Sequence, residues 1–254
     1  MERALAILEL VAEHPGQLGV TELGRRLGVH KATAFRLVTT LSEHGLVARD
    51  PDSDKYRLGF GLIRLAGAAV ASLDLVRQAR PVLERLAEAT QETVNLAVLD
   101  GDRVVNIDQV AGSRAVVNVN WVGQRTPLHC TSNGKILLAH LPEQPRDALL
   151  RLPLERLTAN TITGPEALRT QLVQARLRGY AYTIEELEVG LNAVAAPVRD
   201  ASGEVIAAVT VAGPAYRVAP RRIHGLAGEV VRAADEISRH MGYPERRERL
   251  GTER

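Results

Sequence analysis

One stretch limits what this chain can become. Residues 21 to 59 read "TELGRRLGVHKATAFRLVTTLSEHGLVARDPDSDKYRLG": two helical segments separated by a glycine turn, then a strand-turn-strand pattern. The first segment opens at Thr21, a residue suited to the N-cap, and buries Leu23 and Leu27 before breaking at Gly28. The second runs from Lys31 to His44 and ends at Gly45, which suits the left-handed position after a helix. "LVARD" and "KYRLG" then alternate as short strands around the turn "PDSD". Upstream, Leu5, Leu8, Val11 and Ala12 share one helical face that "HPG" closes at 14 to 16. Three helices and a hairpin predict a winged helix-turn-helix over residues 1–60.

The second segment has a face that packing does not need. At about 100° per residue, Thr33, Arg36 and Thr40 fall within roughly 60° of one another, while Ala34, Phe35, Val38 and Leu41 take the packed side. Hydroxyls and a guanidinium donate to phosphates or base edges, arginine on guanine being the commonest specific pair. His30 and Lys31 stand at the start of this helix, where such motifs meet bases. Thr21, Arg25 and Arg26 lie on the helix that crosses the backbone, and Lys55 lies in the hairpin. The net charge of +2 says little about nucleic acid, but its distribution does. Residues 20–40 hold four basic side chains against Glu22 alone, although residues 1–60 balance eight against eight. Any helical hairpin can expose Lys, Arg and Thr; the ordered series of elements favours DNA.

Residues 61–75, "GLIRLAGAAVASLDL", predict a linker helix whose stripe of Leu62, Leu65, Ala66, Ala69 and Leu73 seeks a partner, which points to dimerisation. From 76 to 245 the pattern is mixed. A helix with Val82, Leu86 and Ala89 precedes the hairpin "TVNLAVL", "DGD", "RVVNIDQV". A loop runs into the helix "TSNGKILLAHL", and then come the helix "PEALRTQLVQARLRG", the strand "YAYTIEE", and a second hairpin around "RDASG". A last helix spans Pro220 to His240. Hairpins at both ends predict an antiparallel sheet with helices packed on it, an α+β domain. Residues 246–254 form a charged tail.

With aromatics at only 3%, Leu, Val and Ala must fill the interior. Cys130 is the sole cysteine and the seven histidines show no ligand spacing, so neither a disulfide, a metal nor a cofactor is expected. Glu2, Glu9 and Glu13 interrupt the first apolar stretch at helical spacing, which argues against a signal peptide. No apolar run is long enough to span a bilayer. The expectation is a cytoplasmic, nucleoid-associated protein.

Across nearly its full length the sequence resembles the IclR family of bacterial transcription regulators. The match is carried by "ERALAILELV", "TELGRRLGVHKATAFRLVTTLSEHGLV" and "YRLG". It continues through "ETVNLAVLDGDRVVNIDQV", "VGQRTPLHCTSNGKILLA", "GYAYTIEELEVGLNAVAAPVRDASGEVIAAVTVAGP" and Arg217. The resemblance implies a winged helix, a linker helix and a GAF-like effector-binding domain, assembled as dimers or dimers of dimers. It also implies a repressor or activator, more often a repressor, whose binding to palindromic operator DNA is tuned by a small organic acid. Effector contacts map onto Ser132, Asn133, Thr183, Ala193, Thr210 and Ala212, and pocket-wall positions onto Asn118, Thr126 and Leu191. Ala193 and Ala212 stand where other members hold Cys and Ser, which favours a larger, partly apolar acid over glyoxylate or pyruvate.

Read from the residues alone, "TSNGK" places free N–H groups and a positive dipole end where a carboxylate is attracted. Ser132 and Asn133 can equally be caps, and Thr183 and Thr210 ordinary sheet threonines. Trp121 either lines a pocket or plugs the core. His129 and Cys130 suggest a thiol enzyme, but neighbouring residues point apart and a nucleophile needs its base in reach. Cys130 reads better as a small buried hydrophobe. Two other functions stay open: a metabolite-binding enzyme built on the α/β domain, and an architectural DNA binder without a ligand.

Overall fold

A computed structural model of the protein describes residues 2–65, 74–113 and 120–244. They fall into two compact units, Met1–Leu73 and Asp74–Arg254.

The first unit comprises α1 (Glu2–Glu13), β1 (Leu18–Gly19), α2 (Val20–Arg26), α3 (Lys31–Glu43), β2 (Val47–Arg49) and β3 (Lys55–Leu58). Ile7, Val11, Leu18, Leu23, Val38 and Val47 meet in its core. Both glycine turns have a common cause. Gly28 and Gly45 hold φ of 63° and 70°. Val29 and Leu46, one residue further on, donate back to the carbonyls of Gly24 and Leu41, so α2 and α3 end in the same left-handed motif. At Gly24 the approach is close: a Cβ there would lie 3.1 Å from the Val29 carbonyl, a tight contact, and 3.5 Å from the Ala34 methyl, an ordinary one, where α2 crosses α3.

Three details differ from the sequence reading. Thr21 is not the N-cap; α2 begins at Val20 behind Gly19, because Leu18 and Gly19 pair with Tyr56 and Lys55 as a third strand. The buried face of α1 is centred on Ile7 and Val11, leaving Leu5 exposed. Phe35 does not pack with Ala34 and Val38; it is 53% exposed. Residues 60–65 are helical, with Leu62 half-buried and Leu65 exposed. Ala66, Ala69 and Leu73 of the predicted linker stripe lie outside the described residues, as does the tail.

The second unit is a six-stranded antiparallel sheet covered on both faces. Its elements are α4 (Asp74–Thr90), β4 (Thr93–Asp100), β5 (Arg103–Val110), β6 (Arg125–Pro127), α5 (Ser132–His140), α6 (Glu143–Leu150), α7 (Pro165–Arg178), β7 (Ala181–Ile184), β8 (Leu191–Arg199), β9 (Val205–Pro214) and α8 (Ile223–His240). Strand order is β6-β5-β4-β9-β8-β7. Val94, Leu96, Val194, Val209 and Val211 face α4 and α8. Ala97, Val104, Ala195 and Ala208 face α5 and α7. Since side chains alternate along a strand, Asn95, Ala193, Thr210 and Ala212 share the α5 face. The stripe of α4 is Val82, Leu83, Leu86, Ala87 and Thr90, with Ala89 exposed. The short β6 and α6 carry no strong periodic signal and were not expected. Among the described residues no helix is long and apolar enough to cross a membrane.

Candidate functional sites

On α3, Ala34, Val38 and Leu41 are buried, and Lys31, Thr33, Arg36 and Thr40 are exposed as expected, joined by Ala32, Phe35 and Thr39. The Thr40 hydroxyl donates back to the Arg36 carbonyl at 3.1 Å, so its lone pairs remain for an outside donor. On α2 the charges are organised by one carboxylate. Glu22 accepts from Arg25 at 2.9 and 2.7 Å and from Arg26 at 2.8 Å. These bonds, Arg25 first, hold its carboxyl down at about 2. His14 also contacts Arg26, at 3.1 Å. Thr21 and His30 are exposed at the starts of α2 and α3. Lys55 lies opposite Gly19, behind a hairpin tip that carries Asp50, Asp52 and Asp54. The tip itself is acidic, while Arg49, Lys55 and Arg57 lie on the strands behind it.

In the second unit a cavity, partly open to solvent, lies between the sheet and the start of α5. Its floor follows strand pairing. Thr183, Ala193 and Ala212 face one another in a row across β7, β8 and β9, and Asn95 lies opposite Thr210 on β4 and β9. Asn106 of β5 and Thr126 of β6 extend the floor the other way, while Leu187 and Leu191 close the β8 side. Trp121 lines the cavity, settling the alternatives left open by the sequence. Asn118 lies outside the described residues.

The roof is a helix N-terminus. Thr131, not Ser132 or Asn133, is the N-cap: its hydroxyl oxygen accepts from the Gly134 N–H and donates to the Pro127 carbonyl at 2.8 Å. Asn133 Oδ1 takes the same N–H at 2.9 Å. The N–H groups of Ser132 and Asn133 therefore keep no intrahelical acceptor, and the Ser132 hydroxyl, 1% exposed, has no partner. Asn95 Oδ1, Asn106 Oδ1, Thr126 Oγ1 and Thr210 Oγ1 are also buried without a partner, and all of them line this cavity. Behind Ser132, the buried Lys135 ammonium donates to both Glu186 oxygens at 2.6 and 2.7 Å and to Gln171 at 2.6 Å. Its charge is thus engaged below the cavity wall. Burial pulls Lys135 down and pushes Glu186 up.

Cys130 is buried, and burial pushes its thiol up to about 12. The His129 ring contacts the Glu155 carbonyl at 2.9 Å. A thiol kept neutral and an imidazole engaged elsewhere do not make a nucleophile-base pair. Among the described residues no group of three or more metal-ligating side chains comes together.

Comparison with known proteins identifies the architecture. Residues 1–51 match the IclR helix-turn-helix domain, and residues 67–239 match the bacterial transcriptional regulator IclR C-terminal domain. The chain belongs to the IclR family. It is 38% identical to the HTH-type transcriptional regulator BhcR of Paracoccus denitrificans, over 94% of this chain and 85% of that protein. With the transcriptional repressor IclR of Escherichia coli it shares 32% identity, over 95% of this chain and 89% of the relative. The crystal structure of an IclR homolog from Microbacterium hydrocarbonoxydans, complexed with 4-hydroxybenzoate, superposes with a TM-score of 0.83 at 31% identity, covering 94% and 97% of the two chains.

As an IclR-family member the protein is a DNA-binding transcriptional regulator under the control of a small-molecule effector, and not an enzyme. Within this IclR-family fold, the sequence reading brought Thr126, Ser132, Asn133, Thr183, Leu191, Ala193, Thr210 and Ala212 to a single cavity. It missed Asn95, Asn106, Thr131 and Leu187. For Asn106 a signal existed: it falls on the buried phase of an alternating strand, and a buried amide needs partners.

Proposed function

We propose that the protein is a repressor that binds palindromic operator DNA as a homodimer or a dimer of dimers in the cytoplasm, and that a small organic acid in the cavity of the second unit controls this binding. The division of labour follows the sequence: residues 1–60 read DNA, 61–75 link and dimerise, and 76–245 sense the effector. On the DNA side, Arg36 meets a base and Thr33, Thr40, His30 and Lys31 position α3, while Thr21, Arg25, Arg26 and Lys55 meet the backbone. The exposed Phe60, Ile63 and Leu65 support a partner helix at the linker, and a two-fold pair of reading heads calls for a palindrome.

The observation that carries the acid reading is the Ser132 hydroxyl, buried and unpartnered beside the open N–H groups of α5. A carboxylate placed there receives the helix dipole and the donors together. Thr183 and Thr210 reach its other polar atoms, and Ala193 and Ala212 present methyl groups to its carbon skeleton. Larger, partly apolar acids should therefore bind better than glyoxylate or pyruvate; the 4-hydroxybenzoate held by the homolog is an acid of this kind. The test is a thermal-shift screen of aliphatic and aromatic carboxylates, followed by titration of the best against operator DNA selected from a random pool. A ligand that binds only the folded state raises the melting temperature. Failure of every carboxylate to do so refutes the reading.

A further inference from the structure

A second cavity of the same unit lies beside the later part of α5, away from Ser132. The buried Leu138, Leu150 and Leu168 line it from the core, and Leu152, Pro153 and Leu154 line it from the irregular segment that joins α6 to α7. Pro127 belongs to its wall while the preceding Thr126 belongs to the first cavity, so β6 stands between the two. Apolar walls around a small number of placed polar groups are the usual form of a small-molecule site. Here the buried polar group is the His129 ring, 6% exposed.

The state of that ring follows from its one hydrogen bond. Nε2 lies 2.9 Å from the Glu155 carbonyl, which only accepts, so Nε2 carries the hydrogen. Nδ1 is then left with a lone pair and, among the described residues, without a partner. Burial first, and then the positive charges of Lys135 and Arg103, pull the ring below the usual imidazole range and keep it neutral at pH 8. The charged residues of the lining do not call for an anion: Arg103 stands 3.6 Å from Asp102, and the exposed Glu155 adds a second carboxylate. We propose that this cavity is a second ligand site, which takes an uncharged, largely apolar molecule donating one O–H or N–H to His129 Nδ1. It is separate from the acid site and gives the regulator a chemically different input. A ligand without the donor leaves the imidazole nitrogen unpaired, which is the basis of selection.

Calorimetry on the full-length chain at pH 8 tests this with two matched sets: indole against benzothiophene, a ring of like shape without the N–H, and 4-ethylphenol against 4-ethylanisole and 4-ethylbenzoate. In at least one set the donor should bind at least about fivefold tighter than its companions. Leu152→Trp, at a position 45% exposed where a larger ring is accommodated, should fill the cavity and abolish that binding. His129→Phe should reduce the preference for the donor to below about twofold, and the Leu152→Trp result stands if this variant does not fold. Absence of binding by every probe overturns the proposal, as does a companion that binds as tightly as its donor in both sets. Binding that persists in Leu152→Trp but is lost in Ala193→Phe, which fills the first cavity, also overturns it, because the ligand then sits in the first cavity.

Discussion

Lys135 and Glu186, 51 positions apart in sequence, form a buried ion pair that joins the first turn of α5 to the segment after β7. The same segment carries Leu187 of the cavity, and its Glu186 carbonyl accepts from Thr161 at 2.7 Å. The pair thus fixes the roof of the cavity relative to one wall. Removing one partner strands a charge in the interior. Glu186→Gln should destabilise the protein by about 3–5 kcal/mol in chemical denaturation, whereas Lys135→Met with Glu186→Leu should cost much less than the sum of the single changes. Additive losses would show that the two residues act separately.

Glu22 restrains the basic residues of α2. With its carboxyl held at about 2 by Arg25 and Arg26, it stays ionised throughout the range in which DNA binding is measured. Because its folded pKa is depressed, whatever the pairing contributes is present above the ordinary carboxylate range and is lost only as pH falls toward 2. Glu22→Gln should release both guanidinium groups and strengthen binding to any DNA sequence, steepening the plot of log affinity against log salt by about one contact. An unchanged slope would mean that neither arginine meets phosphate.

The reading head was legible because it is local. Gly28 and Gly45 each sit at the end of a helix whose register the intervening apolar residues define, and nothing distant decides that geometry. Thr21 was misread for the opposite reason: the two-residue strand before it exists only through pairing with β3, contributed by residues more than a full helix away. Phe35 was misread because helical phase was judged from hydrophobicity, and this large apolar side chain lies outside the packed arc. In the cavity, the match to known regulators located Ser132, Thr183 and Thr210, yet Asn95 was invisible to periodicity because β4 is buried on both faces. Where both phases are covered, alternation no longer distinguishes core from site.

Cys130 should be inert. With its thiol pushed up to about 12, almost no thiolate exists at pH 8, and the residue is buried. The native protein should resist iodoacetamide at pH 8, while the urea-unfolded chain takes up one equivalent per cysteine. Cys130→Ala should be mild, and Cys130→Ser should cost about 1–3 kcal/mol more if its hydroxyl finds no partner in the interior. Rapid alkylation of the folded chain would contradict the burial that excludes this residue from chemistry.

Phe35 and Arg36 are adjacent on α3, both exposed, and they present the two chemistries by which a major groove is read. The guanidinium pairs with guanine, and an aromatic edge contacts the thymine methyl. If α3 lies in the major groove, the exposed Phe35 is expected to contact a thymine methyl, the apolar group on that edge of the base pairs. In operators selected from a random pool, Arg36→Ala should therefore cost about 1–3 kcal/mol and relax selectivity at one guanine, while Lys31→Ala should weaken all sequences alike. Phe35→Ala should instead remove the preference for thymine at a neighbouring position. Replacing that thymine by deoxyuridine, which lacks only the methyl group, should weaken the wild-type protein and leave Phe35→Ala indifferent. If deoxyuridine at every thymine of the operator leaves wild-type affinity unchanged, Phe35 does not read the groove, and its exposure has another cause.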